Sequence, residues 1–100
     1  MMNVYMVDID LPEQLDEEFL ELLPLQRKHI ADLLSKGVIT SYSMDRERSK
    51  IWITVNAETE REVGEIVAYL PLSEYFVLSV HILDNHETIG KPKPPRLSLN

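Results

Sequence analysis

A chain of 100 residues with 44% hydrophobic content can build one core but not two, and at this size only about 65% of the unfolded surface becomes hidden, so self-association is expected. Seventeen Asp and Glu against ten Lys and Arg give a net charge of −7, which argues against nucleic acid because phosphate binding needs clustered cations. With no cysteine, disulfides, thiolate zinc sites and cysteine nucleophiles are excluded.

The opening "MMNVYMVDID" has no basic stretch followed by a long apolar one, and no apolar run approaches about 18 residues. A cytoplasmic protein without a membrane partner is expected. Val4 to Ile9 is rich in β-branched residues and reads as a strand closed by "DLP". From about Leu15 to Lys36 apolar residues recur at helical spacing, and Gly37 supplies the stop. "VITSYSMD" and "KIWITVN" read as a hairpin joined by the charged turn "DRERS". In "AETEREVGEIVAYLP", Thr59 and Glu62 stand at capping-box spacing ahead of a helical face of Val63, Ile66, Val67 and Leu70, and Pro71 ends the helix. "EYFVLSVHIL" is the last predicted strand.

The order βαββαβ is that of an α+β, ferredoxin-like domain with an antiparallel sheet. It spans residues 1–86, and residues 87–100, with the run "KPKPP", form a proline-rich tail that is either disordered or an arm laid across a neighbouring subunit.

Strand alternation places Phe76, Leu78, Val80 and Ile82 on one face of the last strand, and Ile51, Ile53 and Val55 on one face of the hairpin. These aliphatic sets are expected to meet the two helices and form the core. The opposite face is expected to hold Trp52, Tyr75, Val77 and either Tyr42 or Tyr5, and to pack on the same face of a second copy as a homodimer or a higher homo-oligomer.

The first helix carries an anomaly. At about 100° per residue, Leu15, Phe19, Leu22, Leu23, Ile30 and Leu33 define an arc with Gln26 near its centre, and Arg27 and His29 lie roughly 80° to either side. An amide aimed at the sheet must find a partner, because an unpaired buried one costs about 1–3 kcal/mol. Pro24, inside the same helix, removes a backbone hydrogen bond and is expected to kink it, opening space toward the sheet. Two readings follow. Gln26 bonds a neighbouring strand or turn while Arg27 extends into water; or the two line a pocket, Gln26 inside as a donor and Arg27 at the mouth holding a carboxylate, completed by Tyr42 or His29.

The segment "LPLSEYFVLSVHIL" after an amphipathic helix, preceded by a long first helix ending "LLSKG", resembles the muconolactone isomerase family over about residues 3–86, most closely at "YLPLSEY". That resemblance implies subunits paired sheet to sheet in a dimeric α/β barrel, decamers among them, and a cofactor-free shift of a double bond in a small carboxylated lactone. Such chemistry needs a base beside a carbonyl and a donor for the resulting enolate. Where the helix of these isomerases carries an acidic residue followed by a lysine, this chain has Gln26 and Arg27. Glutamine cannot act as a base, which leaves His29 and Asp45 as the candidates.

His81, Asp84 and His86 have the residue types of a metal triad, but a strand end and a loop fix no geometry, and no metal is expected. Gly37, Gly64 and Gly90 form no phosphate loop, so no nucleotide cofactor is expected either. Met44 and Trp52 could pack on a ligand or simply fill an interface. The functional classes that follow are a cofactor-independent isomerase acting on a small-molecule ligand, a non-catalytic oligomeric binding or structural protein, and a cofactor-free oxygenase.

Overall fold

Strand β1, Asn3–Asp10, sets the frame because its side chains alternate between two environments: Tyr5, Val7 and Ile9 are buried while Met6, Asp8 and Asp10 face the other way. A computed structural model of the chain describes residues 2–88. After β1 come helix α1 (Glu17–Ser35), strands β2 (Ile39–Met44) and β3 (Lys50–Ala57), helix α2 (Glu60–Ala68), a 3-10 turn (Ser73–Tyr75) and strand β4 (Val77–Ile82). All pairings are antiparallel and the strand order is β2-β3-β1-β4, with Val7 opposite both Ile53 and Val80. This is the ferredoxin-like βαββαβ fold.

The helices begin and end where capping chemistry places them. The Asp16 carboxylate accepts the Phe19 N–H at 2.9 Å, and Thr59 Oγ1 accepts the Glu62 N–H at 3.1 Å while Glu62 returns a carboxylate oxygen to the Glu58 N–H. At the far end of α1, Gly37 takes φ of +73°, and the Val38 N–H closes back on the Leu33 carbonyl. The helix runs unbroken through Pro24. No described helix is long and apolar enough to cross a membrane.

Phe19 and Ile30 of α1 and Val63 and Val67 of α2 bury against Val7, Ile9, Ile51, Ile53 and Val55 of the sheet. Phe19 meets Tyr75 edge to face at 5.2 Å. The Tyr75 hydroxyl lies 2.9 Å from Asp16 Oδ1 and 3.2 Å from Glu18 Oε1, tying the start of α1 to the turn before β4. Burial, then the Asp16 and Glu18 carboxylates, push the Tyr75 phenol well above its ordinary value.

The hydrogen bonds from the Phe19 N–H and then from Tyr75 hold the Asp16 carboxyl below its ordinary 3.8. A depressed folded value means that the contribution is present above 3.8 and is lost as pH falls through the lower folded value. Asp16→Asn keeps a good cap but cannot titrate there. The difference in urea midpoint between pH 7 and pH 3 should therefore shrink in Asp16→Asn, and an unchanged difference would remove Asp16 from the acid response.

Several expectations are corrected. The last strand starts at Val77, not at Glu74, because the Tyr75 N–H bonds the Leu72 carbonyl and winds "SEY" into a 3-10 turn. Tyr75 thus leaves the open sheet face for the core edge. Tyr5 and Tyr42 also lie on the helix side, opposite Ile82 and Ile53 in register. Leu78 and Ile82 share the helix-facing side as the alternation requires, yet they are 41% and 60% exposed, since β4 is an edge strand.

The open face is more polar than expected. Trp52 and Val77 stand there exposed, but Lys50 Nζ bridges Asp8 and Asp10 at 2.7 and 2.9 Å and sits 5.8 Å from the Trp52 ring centroid. Thr54, buried on this face, shares hydrogen bonds with the Thr40 and Ser41 hydroxyls. The tail from residue 89 onward, and with it the choice between disorder and an arm, lies outside the described residues.

Candidate functional site

Gln26 sits on the buried arc of α1, 2% exposed, and both ends of its amide are engaged. Its Oε1 accepts the Leu72 N–H at 3.1 Å, and its Nε2 donates to the Tyr42 hydroxyl at 3.4 Å. The Leu72 N–H can only donate, so it fixes which end of the amide carries the oxygen and turns the NH2 toward Tyr42. The buried glutamine therefore has a structural task, joining α1 to the turn that precedes β4. It also orients a tyrosine.

Tyr42 comes from β2, on the side of the sheet that faces α1. Its hydroxyl accepts from Gln26, which leaves its own proton free to donate elsewhere. Burial pushes the Tyr42 phenol above its ordinary value, opposed by the Gln26 hydrogen bond and by the Arg27 charge. The group therefore stays protonated at neutral pH and acts as a donor.

Space opens beside this pair. A cleft of about 190 Å³ lies between α1 and β2, with Leu23, Ile30 and Met44 as apolar walls and Gln26, Tyr42, Arg27 and Arg48 as polar ones. Of the expected site residues, Gln26, Arg27 and Tyr42 are thus brought together. Met44 joins them from the end of β2, whereas Trp52 lies on the open face and does not.

The two expected bases are not in the cleft. His29, three residues past Gln26, turns to a separate groove with Leu25, Lys28, Asp32 and Pro71. Asp45 is committed to its own turn: Oδ1 accepts the Ser49 and Lys50 N–H groups at 2.7 and 2.8 Å, and Oδ2 accepts the Ser49 hydroxyl at 2.7 Å. The Ser49 hydroxyl and then the Lys50 N–H hold the Asp45 carboxyl below its ordinary value. A carboxylate so satisfied is a poor proton acceptor.

Arg48 lies exposed in the charged turn between β2 and β3, and it also borders the cleft, which its place in the sequence does not reveal. It follows Asp45 in a tight turn, its N–H bonding the Asp45 carbonyl at 3.0 Å, and it adopts φ of +57°. An aspartate opening a turn is a legible signal. A left-handed arginine is not, since glycine is the residue that normally marks such a position.

His81, Asp84 and His86 do not converge, and no group of three metal-ligating side chains forms among the described residues. Comparison with models of known protein families and with curated protein sequences gives no match for this chain.

Proposed function

We propose that this protein binds a small, largely apolar carboxylate in the cleft between α1 and β2, on a scaffold of the muconolactone isomerase type that pairs through its open sheet faces. Support comes from one arrangement: Tyr42, oriented by Gln26, presents a free hydroxyl proton beside the Arg27 guanidinium in a cleft with aliphatic walls. The guanidinium suits a carboxylate, the phenol suits a second oxygen of the same ligand, and the walls suit its hydrocarbon part.

The same phenol could stabilise an enolate oxygen, which is one half of the chemistry of double-bond migration. The other half is a base. Among the described residues lining the cleft there is no carboxylate or imidazole. Binding without turnover is accordingly the first reading, and cofactor-independent isomerisation of a small carboxylated lactone is the second, favoured by the Tyr42 donor alone.

Proton NMR of the protein mixed with muconolactone in deuterated water separates them. Broadened or shifted ligand resonances without deuterium uptake are expected from binding alone, and deuterium uptake with migration of the double bond would move the assignment to the isomerase. Arg27→Ala should reduce either signal by about tenfold or more, the equivalent of about 1.4 kcal/mol. Its melting temperature should hardly change, since exposed substitutions stay within about 0.5 kcal/mol. Parent protein that leaves every ligand resonance untouched would sink carboxylated lactones as the ligand class.

A further inference from the structure

Arg48 has a consequence for what the cleft can hold. It reaches the cleft from the β2–β3 turn while Arg27 reaches it from α1, so two guanidinium-bearing side chains border the same small space from different elements. Neither is in an ion pair among the described residues. The chain carries 17 Asp and Glu, yet none of them lines this cleft. A local excess of cations in an acidic protein favours an anionic occupant.

Arg48 holds φ of +57°, a conformation that opposes any residue with a Cβ and is cheapest for glycine. The turn is held in this shape by Asp45, whose carboxylate accepts the Ser49 and Lys50 N–H groups and whose carbonyl accepts the Arg48 N–H. The turn thus fixes the Arg48 backbone beside the cleft at some conformational cost.

We infer that the cleft takes a ligand with two separated anionic groups, a short dicarboxylate, with Arg27 holding one carboxylate and Arg48 the other; the inference presupposes carboxylate binding in this cleft. The roughly 190 Å³ available equals the share of about six waters in the liquid, enough for a short aliphatic chain between the two arginines. Leu23, Ile30 and Met44 would cover that chain. The Tyr42 hydroxyl is the remaining donor, for one carboxylate or for a polar substituent between them.

Calorimetric titration of the full chain at low salt tests this, with adipate as the dianionic probe, hexanoate as its singly charged counterpart and inorganic phosphate as a compact anion. Adipate is expected to bind at least about tenfold more tightly than hexanoate. Arg48→Gly should bring adipate down to the hexanoate value, with no fall in melting temperature because glycine suits the left-handed backbone. Equal binding of adipate and hexanoate by the parent protein, or an adipate preference that survives in Arg48→Gly, would overturn the second anion site while leaving carboxylate binding intact. Phosphate binding as tightly as adipate would also overturn it, by showing that both arginines converge on one group. Binding of none of the three probes would instead remove the carboxylate reading of the cleft itself.

Discussion

Gln26→Leu is expected to lower the unfolding free energy by about 1–3 kcal/mol, although leucine is the better helix former and the better match to a buried stripe. The loss falls on Leu72. Its N–H is buried with the rest of the residue, and Gln26 Oε1 is its acceptor at 3.1 Å, across 46 positions of sequence. A donor left unpaired there keeps its full desolvation cost. For a domain of this size each kcal/mol moves the melting temperature by about 4–8 °C, so thermal unfolding should resolve the change easily.

Gln26→Met nearly preserves length and volume while deleting both hydrogen-bonding ends. It should behave like Gln26→Leu; a methionine variant as stable as the parent would show that the amide is dispensable to folding. Both variants also free Tyr42 from its donor. Ligand affinity should therefore fall in both, in contrast to Arg27→Ala, where affinity falls and stability holds.

Phe19→Ala should cost more, about 3–5 kcal/mol, the range for removing a buried phenylalanine. Phe19 is fully buried beneath the sheet, stacks edge to face on Tyr75 at 5.2 Å, and its N–H receives the Asp16 cap. Truncation therefore empties a space at the point where the start of α1, the 3-10 turn and the sheet meet. Against the roughly 5–15 kcal/mol that holds a typical domain together, the variant stands close to unfolding at ordinary temperature. Urea denaturation of Phe19→Ala beside Phe19→Leu measures it, the leucine variant losing clearly less. A loss under about 1 kcal/mol for the alanine variant would mean that the site collapses around the deletion, contrary to the packing described.

Elements built from local rules were legible in the sequence. Alternation sorted Ile51, Ile53 and Val55 to the helix side, Thr59 stands as a cap, and Gly37 ends α1 with a positive φ. Helical periodicity aimed Gln26 at the sheet, and it is buried there. These features depend on neighbours within a few residues, so pattern suffices to find them.

Other features depended on contacts that no local pattern encodes. His29 and Arg27 flank Gln26 on one helix, but only the placement of Pro71 beside α1 gives His29 a groove of its own, away from Tyr42. Tyr75 alternates as a strand residue should, yet the Leu72 carbonyl takes its N–H and folds it onto Phe19. Leu78 and Ile82 keep the right parity and stay exposed because β4 lies at the sheet edge.

By itself the sequence determined the βαββαβ order, the sidedness of β3 and β4, and the presence of a polar residue on a buried stripe, since each follows from backbone periodicity and short-range capping. Only the tertiary structure decided which partners that residue has, and that Arg48 joins Arg27 at one cleft. Those outcomes depend on long-range packing of α1 against β2 and on the backbone path of a turn, where a few ångströms decide whether two side chains meet.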